Sequence, residues 1–195
     1  LSAAQLSSIE TADIDKFTVN QMLALDADTI TGLTASQIME FDATQIRAIQ
    51  PTSIAVFSNS QLSAIGSLGW LTSSQIAALP GTGIQSLSST QISSLSSEQI
   101  GQISNTVLQA FTVDQIKGLT SDNIKGLTTP QVGVLSSQQV AALTPDATSG
   151  AIKGLTTTQI SALTSANIIG LTATQMGNLT DDQVKAITLT GGADS

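Results

Sequence analysis

Histidine, cysteine and tyrosine are absent from the 195 residues, and aromatic residues total only 3%. Without Cys there is neither a disulfide framework nor a thiolate ligand, and without His the commonest general base and metal ligand are missing. Charge is scarce as well, at 10% of residues against about 25% in an ordinary globular protein. Six Lys plus Arg against a net charge of −8 offer no basic stripe to neutralise a phosphate backbone, so nucleic acid is not an expected partner. No apolar run approaches the roughly 20 residues of a membrane helix, and no stretch at the start has the grammar of a signal peptide. The chain opens on Leu1 and not on Met, as a mature chain or a segment of a longer one would. Ser, Thr, Gln, Ala and Gly fill the space that charge and aromatics leave.

What is present is periodic. A large apolar residue returns every eight residues from Leu1 through Ile9, Phe17 and Leu25 to Ile65, again from Leu71 to Leu143, and again from Leu155 to Ile187. Two units break the count: IGSLGW at 65–70 is two residues short, and LTPDATSGAIKG at 143–154 is four long. Both are rich in turn-forming residues, and the register resumes after each, so they are expected as local irregularities of one continuous array over 1–188. LTGGADS at 189–195 is expected to be a flexible tail or a junction.

An eight-residue period fits no continuous element. A helix turning about 100° per residue drifts by about 80° per octad, and a strand puts the first and sixth positions on opposite faces. The chain must therefore bend once per unit. Where it bends is written in the residues: Ser or Thr at the second position and Gln or Asn at the fifth form a capping box, and the flanking apolar residues occupy the staple positions. Gly32, Gly118, Gly126, Gly154 and Gly170, each just before the next Leu, are placed where a left-handed residue ends a helix. Each octad reads as one very short helix plus a corner, too short to persist alone, so the octads must stack. The expected fold is an all-α solenoid of very short helices, with Leu and Ile inside and Ser, Thr, Gln and Ala outside.

Two octads per superhelical turn are expected, since paired helices could bury both apolar positions between them. The expected core includes Leu71, Ile76, Leu119, Ile124, Leu155, Ile160, Leu163 and Ile168, and the expected capping residues include Thr72, Gln75, Thr120, Thr156 and Gln159. A β-solenoid is the alternative, favoured by the Thr and Ile content and opposed by the repeated caps.

Chemistry is sparsely provided. Ser and Thr have no His to activate them, and Lys16, Lys117, Lys125, Lys153 and Lys185 lack an S-x-x-K context, so no enzyme is expected. Asp26 with Asp28, Asp181 with Asp182, and Glu10, Asp13 and Asp15 carry oxygen ligands but not the spacing of a calcium loop. Asp26 and Asp42 sit at cap positions, where a carboxylate accepts backbone N–H groups. No cofactor or metal is expected. Trp70, in the shortened unit beside Gly66 and Gly69, is a possible ligand surface or the filler of an irregular turn.

The units LTSSQIAAL (71–79), LSSQQVAAL (135–143) and LTTTQISAL (155–163) resemble the L-[ST]-x-x-Q-[IV]-x-x-L arrays of very large, repetitive bacterial exoproteins, often described as adhesion or haem-utilisation proteins. The resemblance implies an extracellular or cell-surface location. It transfers no binding residue, and for haem it leaves only Met22, Met39 and Met176 as familiar axial ligands. The leading expectation is a non-enzymatic structural protein, a filament subunit or adhesin stalk. No polar capping repeat closes either end, so copies are expected to stack head to tail, unless neighbours in a longer chain cover the ends. The second expectation is a binding solenoid for a glycan, a protein or a small ligand such as haem, with its patch near Trp70 or the 143–154 insertion.

Overall fold

The computed structural model describes residues 1–81, 83–144 and 150–190, and its chain forms two compact units, Leu1–Ser94 and Leu95–Ser195. Among the described residues there are twenty α-helices, all but one of four to six residues, and three 3-10 turns, at Leu68–Trp70, Gly83–Ser86 and Ile124–Gly126. None of the described residues forms a strand; Thr120 and Gly150 make one isolated antiparallel pairing. The architecture is therefore an all-α array of short helices, and the β-solenoid is excluded.

Most octads begin their helix by the same two bonds, although the helices Thr11–Ile14 and Pro51–Ile54 start without a side-chain cap. At the helix Ser73–Ala77, the Thr72 hydroxyl accepts from the Gln75 N–H at 3.2 Å while the Gln75 side-chain oxygen accepts from the Thr72 N–H at 2.8 Å. Thr156 and Gln159 do the same for Thr157–Ile160. Thr120 pairs in this way with Asn123, but the segment that follows is a turn running into the 3-10 turn Ile124–Gly126. A reciprocal cap stabilises a helix by about 1 kcal/mol, which matters when the helix has barely one turn.

The helices end by a tight corner in which the next first-position N–H turns back onto the sixth-position carbonyl. Leu79 donates to Ile76 at 3.2 Å and Leu163 to Ile160 at 3.1 Å. These corners contain no left-handed residue: no described glycine, Gly32, Gly118, Gly126, Gly154 and Gly170 included, has positive φ. The expected glycine termination is thus corrected. What four of these glycines provide is closeness, because a Cβ at Gly32, Gly126, Gly154 or Gly170 would fall on the backbone of Ala3, Ser97, Ser121 or Ser137 respectively.

Octads stack into layers through their fifth-position side chains. In the first unit, the Gln37 side-chain amide donates to the carbonyls of Leu6 at 3.0 Å and Ile9 at 2.9 Å, which lie 31 and 28 residues back. Gln61 does the same to Ile30 and Leu33, and in the second unit Gln139 reaches Leu108 and Phe111 at the same two spacings. Gln37 stands at the fifth position of its octad and Ile9 at the first position of the octad three earlier, and helices three octads apart pack on each other, as Thr11–Ile14 does on Ala35–Met39, so a layer holds about three octads and the expected two per turn are wrong. With two apolar residues per octad, a layer of two helices would gather only about four core side chains, whereas three octads gather about six around a shared centre.

The irregular units leave this octad count intact. Across 65–70 the spacings drop by the two missing residues, and Gln75 meets Ile46 and Ile49 at 29 and 26. Across the insertion they grow by four, and Gln175 meets Val140 and Leu143 at 35 and 32. Leu68 and Ile152, both fully buried, fill the sixth-position role in the short and long units. Residues 145–149 of the insertion and 191–195 of the expected tail lie outside the described residues; Leu189 and Thr190 belong to the helix Asp181–Thr190.

The core follows the first and sixth positions. Leu71, Ile76, Leu119, Ile124, Leu155, Ile160 and Leu163 are all buried. Ile168 is only half-buried, a correction to its expected place, and Leu171, Leu179, Val184 and Ile187 share that exposure because no later layer among the described residues lies over them.

Candidate functional site

The feature built most consistently is the glutamine ladder. Gln37, Gln75, Gln131, Gln139, Gln159, Gln175 and Gln183 are buried, so the expectation that Gln lies outside is wrong for this position. Each accepts one local N–H through its side-chain oxygen and gives its side-chain N–H groups to main-chain carbonyls of the previous layer; Gln159, for example, accepts from Thr156 at 2.8 Å and donates to Ile124 at 3.1 Å and Leu127 at 2.6 Å. Asn167 performs a shorter version, accepting from Thr164 at 2.8 Å and donating to Val132 at 3.1 Å. One residue therefore caps a helix and pins two layers. The clue in the sequence is that Gln and Asn recur at the fifth position while Glu, equally able to complete a capping box, never stands there.

In the first layer of the first unit and in the last layers of the second the ladder opens. Gln5 and Gln21, in the first layer, accept from the N–H groups of Ser2 and Thr18, both at 2.8 Å, but are exposed, and their side-chain N–H groups meet no described acceptor. Beside them Leu1, Phe17, Gln21, Ala24, Leu25 and Thr29 line an open cavity of about 260 Å³. In the last layers the first-position carbonyls of Leu163, Leu171 and Leu179 receive no hydrogen bond from a described residue, although the equivalent Leu127 and Leu143 carbonyls are taken by Gln159 and Gln175. Apolar surface accompanies both ends: Leu1 is 70% exposed, and Ile169, beside the half-buried Ile168, is 77% exposed.

The other candidates are spread over the fold. Trp70 is half-buried with its ring over Gly66, where a Cβ would come within 2.8 Å of the ring, and its carbonyl accepts from Arg47 Nε at 3.0 Å. The Asp26 carboxylate accepts the Thr29 N–H at 2.8 Å, which holds its pKa below the ordinary 3.8. Asp42 accepts from Thr44 and Gln45 at 2.7 and 2.8 Å. Asp13 and Asp182 pair with Lys16 and Lys185 one helical turn on. No group of three or more potential metal ligands occurs among the described residues. Met22 is fully buried in the core, while Met39 and Met176 are exposed. No described helix is long and apolar enough to cross a membrane.

Fold and ladder together define a repeat protein of stacked short helices. Neither protein-family models nor curated proteins give a match to its sequence.

Proposed function

We propose that this is a non-enzymatic structural repeat protein, extracellular or displayed on a bacterial surface, which forms a fibre by stacking the first layer of one copy on the last layer of another. The observation that carries this reading is the open ladder: side-chain donors at the first layer and main-chain acceptors at the last that are unmatched among the described residues, each with apolar side chains beside them. Burying those groups removes apolar area from water and pairs polar groups that otherwise compete with it. A heterologous contact of this kind does not close on itself and so propagates. The octad resemblance to repetitive exoproteins supports the location.

Electron microscopy of the purified chain over a concentration series, with and without calcium, tests the proposal. Unbranched fibres of uniform width, growing in length with concentration, are the expected result. Discrete particles of one chain's size at every concentration would overturn self-assembly, and with it the fibre.

A further inference from the structure

Resting on that reading, we infer that the partner surface for the first layer is the last layer of a second copy, and that the bonds that fix their register are donated by the side-chain amides of Gln5 and Gln21. Inside the array the rule is uniform: a fifth-position Gln gives its N–H groups to a first-position carbonyl three octads earlier and, where geometry allows, to the sixth-position carbonyl before it. Gln5 and Gln21 hold the same local cap bonds as the buried glutamines, so their amides are set in the same sense, toward the side on which a preceding layer would lie. Their acceptors in such a layer would be first-position carbonyls.

The last layers supply those carbonyls at Leu163, Leu171 and Leu179. Gln5 and Gln21 are two octads apart, as are Leu163 and Leu179. Between them the first layer has Asp13, an acceptor already paired with Lys16, so only the outer two positions donate. The contact is directional as a consequence. Two first layers facing each other present donors to donors, and two last layers present carbonyls to carbonyls, so only head-to-tail joining satisfies both sides. Phe17 and Leu25, at the cavity wall of the first layer, would meet the half-buried Leu171 and Leu179 of the other copy.

The double variant Gln5→Glu/Gln21→Glu separates this inference from the broader one. A Glu side chain still accepts from the Ser2 and Thr18 N–H groups, so both helix starts survive, but it has no N–H to give. Gln102→Glu/Gln109→Glu, at exposed glutamines off the fifth position, introduces the same charge elsewhere. Sedimentation and electron microscopy, with circular dichroism to confirm equal helicity, are expected to show fibres for the wild type and for the Gln102/Gln109 variant, and a loss of at least tenfold in polymer for the Gln5/Gln21 variant. Fibres from the Gln5/Gln21 variant equal to wild type would overturn the role of these amides while leaving end-to-end assembly standing. No fibres from the wild type would overturn both.

Discussion

A capping box accepts Glu as readily as Gln, and the fifth position of this repeat is where the two part company. Gln139 is buried, takes the Ser136 N–H at 2.8 Å, and donates to Leu108 and Phe111, both at 3.0 Å. In Gln139→Glu the accepted bond survives, two carbonyls lose their donor, and a carboxylate faces them. The expected cost is about 3 kcal/mol or more at neutral pH, read as a lowered urea midpoint. Burial and the facing carbonyls raise this Glu above its ordinary pKa of about 4.3, so more protons bind to the folded than to the unfolded state. Stability of the variant relative to wild type should therefore recover as pH falls through the raised value, where the protonated acid can donate once. A variant with an unchanged midpoint at pH 7 would show that the side-chain amide contributes nothing between layers.

That second role explains what could and could not be read at this scale. The Thr72 and Gln75 pair is local, three residues apart, and its bonds follow from residue type alone. The bonds from Gln75 to Ile46 and Ile49 depend on where the chain returns after a full layer, which no local pattern encodes. The missing Glu was a legible hint of a donor requirement, but only for a reader who already knew that something lay above or below.

At the scale of one octad, helix starts were legible and helix ends were not. Starts are specified by side chains that bond their own backbone, whereas the corners use only main-chain bonds such as Leu119 to Ile116 at 3.0 Å. Glycine near a corner looked like a conformational signal and is a packing one. Two glycines at comparable places near helix ends separate the explanations. Gly126→Ala puts a Cβ onto the Ser97 backbone and should cost about 1–3 kcal/mol, since neither main chain can turn aside as a side chain can. Gly177, last in the helix Ala173–Gly177, has nothing within 4 Å of its would-be Cβ, and Gly177→Ala should stabilise by up to about 1 kcal/mol. Thermal melts of the two variants should move in opposite directions. If both fell alike, closeness between layers would not be the reason for glycine here.

For the whole molecule the layer is the unit of cooperativity, and its size escaped the sequence because the octad fixes how much the chain advances between corners but not how sharply each corner turns. Once the layer is known, the stability profile follows. The Gln37 octad, for example, is held to Leu6 and Ile9 below by its own Gln and to the layer above through its Leu33 carbonyl, which accepts from Gln61. Among the described residues the first and last layers are held on one side only, and their core residues are correspondingly less covered: Phe17 and Ile168 are half-buried, against full burial at Ile54 and Leu62. Arrays of this kind open from their ends, because removing a terminal layer breaks one interface and removing an inner one breaks two. Hydrogen exchange of the dispersed chain should therefore show weak protection over residues 1–24 and 165–187 and strong protection over the helices Ala35–Met39 and Ser137–Ala142. Polymerisation covers both end faces with another copy, so in fibres the weakly protected segments should slow by at least tenfold while inner layers change little. Uniform protection in the dispersed chain would contradict one-sided pinning of the end layers; end segments that exchange as fast in fibres as in solution would mean that the fibre is built through the sides of the array and not through its open ladder.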